Sequence, residues 1–185
     1  MQADQELKER LAAGLDGSFE LLVRTYQHRL YAFALSLCGN AADAEEIAQD
    51  AFVRAHRALR GYPAERIREL RLAAWLHRIV LNVLRNRVRG QRLRVVTLDG
   101  VPEPAGSAPD PQVEAERRWQ LTELANLVSG LPDHHRNAVA LRCVQGLTYA
   151  ETAAVLGQPE GTVKANVHRG LAALRRRAGE LSNAS

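Results

Sequence analysis

The stretch Leu147 to Arg177, LTYAETAAVLGQPEGTVKANVHRGLAALRRR, constrains the fold most, because it accommodates a short helix, a tight turn and a longer helix in that order. Thr148 and Glu151 are spaced as a capping box, in which each side chain satisfies a backbone amide that the first helical turn leaves open. Gly157 suits the left-handed residue that ends this helix, and Gln158-Pro159-Glu160-Gly161 supplies the turn before Thr162. In the next helix Val163, Val167, Leu171 and Leu174 form one apolar stripe. Opposite it lie Ala165, Arg169, Ala172 and Arg176, with Lys164, His168 and Arg175 on one flank and Thr162 on the other. No acid occurs from Gly161 to Ala178. This is the pattern of a helix-turn-helix, whose second helix enters the major groove by its N-terminal half. There Arg and Lys reach guanine edges and small side chains meet thymine methyls, while Arg175 to Arg177 suit phosphates. The plainer alternative is a two-helix hairpin with a solvated basic face.

A chain of 185 residues holds one or two small domains. No apolar run approaches the roughly 18 residues that span a bilayer, and MQADQELKER lacks a signal-peptide core, so a cytoplasmic protein is expected. The net charge of +4 is modest, but its distribution is not: Leu70 to Leu98 contains no acid and includes Arg71, Arg78, Arg85, Arg87, Arg89, Arg92 and Arg94. Two separated basic blocks predict two contacts with a polyanion. Cys38 and Cys143 are far apart in sequence and read as small buried thiols. His134 and His135 are adjacent and cannot share a helix face as metal ligands do, so neither metal nor cofactor is expected.

Asp99 to Gln112, DGVPEPAGSAPDPQ, carries four prolines and reads as a linker between two helical halves. Before it, Ser18 caps a helix with a Phe19, Leu22, Val23, Tyr26, Leu30, Phe33 and Leu37 stripe, stopped at Gly39-Asn40. Asp43 and Glu46 then suggest an Asp-headed capping box for a helix burying Ile47, Ala51, Phe52, Ala55 and Leu59, broken at Gly61-Tyr62-Pro63. A third helix spans Ala73 to Val88. After the linker, Val113 to Ser129 and Pro132 to Val144 read as two helices ahead of the helix-turn-helix. Their core takes Leu124, Leu127, Val128, Leu131, Val139, Leu141 and Val144, with Trp119 a further packing residue. No alternating pattern is long enough for a sheet. The predicted class is all-α, with two small domains.

The segment AAWLHRIVLNVLRNRVRGQRLR sets Arg78, Arg85, Arg89 and Arg92 on one broad helical face able to track a phosphate backbone. Trp75 and Tyr62 near its start can stack on unpaired bases, although a core role for the tryptophan is the even alternative. Asn82 is the lone amide in an apolar stretch, where a flipped base is one way to satisfy it if buried. The acidic helix from Asp43 to Asp50 differs in sign from both basic blocks. Asp43, Glu46 and Asp50 share a face beside Glu45 and Gln49, offering acceptors to a basic partner helix or simply to water.

These pieces, in this order, resemble the sigma-70 family of bacterial transcription initiation factors, and specifically the compact extracytoplasmic-function group. DAEEIAQDAFVRAHRAL resembles the segment that docks on the clamp helices of the RNA polymerase beta-prime subunit. AWLHRIVLNVLRNRVR is similar to the segment that melts and reads the minus 10 element. LPDHHRNAVALRCVQGLTYAETAAVLGQPEGTVKANVHRGLAAL is similar to the domain that reads the minus 35 element. The resemblance implies sigma domain 2 over 1–94, a linker over 95–112 and sigma domain 4 over 113–185. It places Asp43, Glu46, Gln49, Asp50 and Phe52 in the docking region, with Phe52 as core support. It assigns Tyr62, Trp75, Leu76, Arg78, Asn82, Arg85 and Arg89 to the minus 10 contact, Trp75 and Leu76 occupying the tandem melting positions. Thr162, Lys164, Ala165, Asn166, His168, Arg169, Arg175 and Arg176 fall to the minus 35 contact. Ala165 and Asn166 stand where many relatives carry Ser and Arg, and Arg60 to Leu72 is longer than in many relatives.

The expected protein is a non-enzymatic promoter-specificity subunit. Its implied partners are core RNA polymerase, through the beta-prime clamp helices and the beta flap, promoter DNA, and an anti-sigma factor that can hold it at the membrane. The competing reading is a free-standing helix-turn-helix regulator on operator DNA. A nucleic-acid-processing enzyme is disfavoured, since no carboxylate cluster or nucleophile–base pair has the necessary spacing.

Overall fold

The structure is a computed structural model that describes residues 2–90 and 125–182, and among these residues there is no strand. The chain divides into two compact units, Met1–Leu30 with Glu46–Ala108, and Tyr31–Glu45 with Pro109–Ser185. The Pro-rich segment 95–112, Arg92, Arg94, Trp119 and the first part of the helix expected from Val113 lie outside the described residues.

The first long helices follow the apolar periodicity. Helix α1 spans Gln2–Ala13, α2 Ser18–Cys38, α3 Ala41–Arg60, α4 Ala64–Glu69 and α5 Leu72–Gly90. Leu22, Tyr26 and Leu30 are fully buried on α2, and so are Ile47, Ala51, Ala55 and Leu59 on α3 or nearly so. On α5 the stripe Leu72, Leu76, Val80 and Val83 is buried. Gly39 takes the left-handed conformation, φ 69°, that stops α2. The cap of α3 differs from the sequence expectation. Asn40 Oδ1 accepts the Asp43 amide at 3.1 Å, so Asn40 opens the helix and Asp43 already lies within its first turn.

Two short helices escaped the periodicity reading. Among the described side chains, α1 buries only Leu7 and Leu11, and α4 only Ile67. The two pack on each other, and Arg68 Nε donates to Glu9 Oε2 at 2.9 Å. The Tyr26 hydroxyl donates to Asp4 at 2.9 Å, joining α1 to α2. The segment between Arg60 and Leu72 therefore carries a short helix, Ala64–Glu69, packed on α1 and is not an open loop throughout.

In the other unit, helical residues up to Ser129 lead to α6, Asp133–Val139, which continues as a π-helix over Ala140–Val144. Gln145 N donates to Ala140 O at 2.9 Å, five residues back, the signature of the wider turn. That widening rotates later side chains around the axis, and Cys143, expected to be buried, is exposed, whereas Leu141 stays in the core. Helices α7, Tyr149–Leu156, and α8, Glu160–Ser182, complete the unit.

Candidate nucleic-acid interface

The capping box that opens α7 is formed in full. Glu151 N donates to Thr148 Oγ1 at 3.1 Å, and Thr148 N donates to Glu151 Oε2 at 2.9 Å. Gly157 ends the helix at φ 67°, ψ 37°, and Thr162 N then bonds Pro159 O at 3.0 Å as α8 begins. Ala138, Ala153, Val163 and Val167 form a shared core, against which Tyr149, Leu156 and Leu171 pack. At Gly170 the approach of α6 is so close that a Cβ would stand 2.6 Å from Val139 Cγ2. The apolar stripe read from the sequence thus fixes which face of α8 is turned outward.

That outward face exposes Thr162, Lys164, His168, Arg169, Arg175 and Arg176, with Ala165 half-buried beside them. Asn166 does not belong to it. It is only 5% exposed, because it falls three residues after Val163 and four before Gly170 on the inward side. Its amide donates to Gln158 Oε1 at 3.4 Å, bracing the turn instead of facing solvent. Lys164 pairs with Glu160 Oε1 at 2.9 Å, and this bond raises the ammonium pKa. Its Nζ also lies 5.5 Å from the centre of the Tyr149 ring, and the Arg142 guanidinium lies 4.9 Å from the same centre. Glu160 lies four residues before Lys164 on the same helix, whereas sequence spacing did not reveal Tyr149, which comes from α7, or the Arg142 guanidinium on the same ring.

A separate surface is built around α5. Arg78, Asn82 and Arg85 are exposed on one face at helical spacing. Asn82 is thus a solvated amide, not the buried one that the apolar flanks suggested. Arg89 belongs to the last turns of α5, and its side chain lies outside the described residues. The structure brings Tyr62 and Trp75 together, half-buried, with ring centres 6.2 Å apart and planes inclined at 56°. Arg66 of α4, which no spacing argument singles out, sits 3.8 Å over the Tyr62 ring. Leu76 faces the opposite way. It is fully buried in the stripe with Leu72 and Val80, so it is a core residue and not a second melting side chain.

The acidic face of α3 exposes Asp43, Glu46 and Gln49, whereas Asp50 is half-buried. Asp50 and Glu46 are paired with arginines of the chain. Arg54 Nε and Nη2 donate to the two Asp50 oxygens, each at 3.0 Å, and Arg87 of α5 donates to Glu46 at 2.8 Å. Phe52 is 8% exposed and supports the core, as its apolar spacing indicates.

Residues 22–94 match the family described as Sigma-70 region 2, and residues 121–174 match Sigma-70, region 4. The RNA polymerase sigma-H factor of Pseudomonas aeruginosa is 30% identical over 177 residues, covering 91% of this chain and 90% of the relative. The ECF RNA polymerase sigma-E factor of Escherichia coli is 31% identical over 175 residues, covering 90% of this chain and 89% of the relative. Among solved structures, CnrH in complex with the cytosolic domain of CnrY is similar with a TM-score of 0.69 and 26% identity, over 96% of this chain and 98% of that one. The sigma factor RpoE of Bartonella quintana, solved with the anti-sigma factor NepR, shares the fold with a TM-score of 0.62 at 24% identity, over 85% of this chain and 94% of that one. With both family regions in order and relatives matched along nearly their whole length, the chain belongs to the extracytoplasmic-function group of the sigma-70 family and is an alternative sigma factor.

Proposed function

We propose that this sigma factor binds core RNA polymerase through the acidic face of α3, reads the minus 35 element with α8, and holds the opened minus 10 strand along α5. The observation that carries the reading is the presence of two exposed basic faces, one on each unit. One is the outward side of α8, without an acid from Gly161 to Ala178, and the other is the Arg78, Asn82 and Arg85 row. Lys164, His168 and Arg169 are placed for base edges, Thr162, Arg175 and Arg176 for phosphates, and Ala165 for a thymine methyl. Tyr62 and Trp75 offer aromatic faces for unstacked bases, each stacked base being worth about 1 to 3 kcal/mol. In this reading 1–94 acts at minus 10, 113–185 at minus 35 and on the beta flap, and 95–112 joins them. The chain catalyses no reaction itself.

An anti-sigma factor that covers these faces is the further partner, supported by the Bartonella quintana relative solved with NepR. The protein works in the cytoplasm, where such a partner can hold it at the membrane. Run-off transcription with purified core polymerase tests the reading. Promoter-specific transcripts that require this chain are expected; tight binding to a palindromic duplex without polymerase, and no transcript, would make it a free-standing regulator instead.

A further inference from the structure

Lys164 is the base-facing side chain of α8 with the most supports around it. Its ammonium is bonded to Glu160 on its own helix at 2.9 Å and lies 5.5 Å from the Tyr149 ring centre. Tyr149 cannot drift. It is the first residue of α7, directly after the Thr148 cap, and it packs against the shared core of the two helices. On the same ring the Arg142 guanidinium sits at 4.9 Å, held by the π-helical turn. A long lysine side chain ordinarily samples many rotamers, and ordering it costs free energy on binding. Here the carboxylate and the ring hold the ammonium at the start of the helix that enters the groove.

We propose that Tyr149 and Glu160 are positioning residues for Lys164, so that sequence preference at the minus 35 step read by Lys164 depends on a tyrosine of the preceding helix. The inference rests on α8 being the minus 35 reader. Tyr149 acts through the cation and its ring face, and need not touch DNA. Since an exposed cation–π contact is weak, its loss changes preference by about two- to five-fold and does not abolish binding.

The test uses the full chain with core polymerase and a panel of promoters carrying each base pair at every minus 35 position. Lys164→Ala identifies the step that Lys164 reads. Tyr149→Leu is expected to lose preference at that same step about two- to five-fold and leave other steps unchanged, whereas Tyr149→Phe, which keeps the ring, retains it. Glu160→Gln is expected to weaken the same step, and Tyr149→Leu combined with Lys164→Ala should be no worse than Lys164→Ala alone. Equal weakening at every step, a loss at a different step, or failure of Tyr149→Phe to retain preference would overturn the inference. Absence of any minus 35 preference in the unaltered protein would instead overturn the reading of α8.

Discussion

Arg169 and His135 show how one side chain on either side of the α6–α8 contact carries a distinct kind of information. Arg169 is exposed at the centre of the outward face of α8. Arg169→Ala is expected to cost about 1 to 3 kcal/mol at the minus 35 element and to relax the preference at one base pair, measured by promoter competition with holoenzyme. A uniform loss across promoters would assign it to phosphate. His135 lies beneath, its Nε2 buried without a partner among the described residues. Burial first, then the neighbouring His134 and Arg169, push its pKa below the usual 6.5. The unfolded chain therefore takes up a proton that the folded chain resists. Stability from this site is complete above about pH 6.5 and falls as the pH drops below it. His135→Gln is expected to flatten the decline of melting temperature between neutral and mildly acidic pH; a decline as steep as in the parent would assign it to other groups.

At the scale of elements, α8 is both the proposed reading head and a wall of a small core, and two of its three glycines, Gly170 and Gly179, separate these roles. A Cβ at Gly170 would meet Val139 Cγ2 at 2.6 Å, while one at Gly179 would meet nothing within 4 Å. Valine has one favoured rotamer in a helix and cannot swing clear. Gly170→Ala is expected to lower stability by about 1 to 2 kcal/mol, as overpacking exceeds the gain in helix propensity. Gly179→Ala should raise it by about 0.5 to 1 kcal/mol, and urea unfolding of both variants checks the contrast. Much of this architecture is legible in sequence because capping and periodicity are local: Thr148, Glu151, Gly157 and the Val163, Val167, Leu171 stripe all do what their spacing says. What was not legible came from tertiary contact. Helix α4 buries a single side chain and exists by packing on α1, a partner more than fifty residues away in sequence. Leu76 and Asn166 went astray by a fraction of a helical turn. A family position or an apolar neighbourhood does not say on which side of the axis a residue lies, and packing decides it. The ring pair of Tyr62 and Trp75 and the cation of Arg66 belong to the same class, since the turn before α4, α4 itself and α5 have to meet before they become neighbours.

For the molecule as a whole, the proposed function requires two weak contacts to be made together. Each reader gains from the other by effective concentration, provided that the spacing of the promoter elements allows both. Changing the distance between the minus 35 and minus 10 elements by a few base pairs is therefore expected to reduce transcription far more than a substitution at either element; run-off assays on a spacer series measure it. In the proposed function, where only one of the tandem melting positions is aromatic, opening leans on the Tyr62 and Trp75 pair. Trp75→Ala is expected to reduce permanganate reactivity at minus 10 more than closed-complex affinity, and equal losses would return Trp75 to the core. Docking has its own test: Gln49→Ala combined with Asp50→Ala should weaken binding to core polymerase, and an unchanged affinity would make α3 an ordinary solvated face.

The bond between Arg87 and Glu46 gives that docking face a second meaning. The carboxylate belongs to α3 and the guanidinium to α5, so in the proposed function one ion pair joins the surface offered to polymerase and the surface offered to the separated strand. In that reading a cation of the polymerase that takes Glu46 and a phosphate that takes Arg87 both open this pair. Each event then favours the other by the same free energy. Under the proposed function, a contact that looks like a surface ornament thereby links enzyme recruitment and strand capture reciprocally.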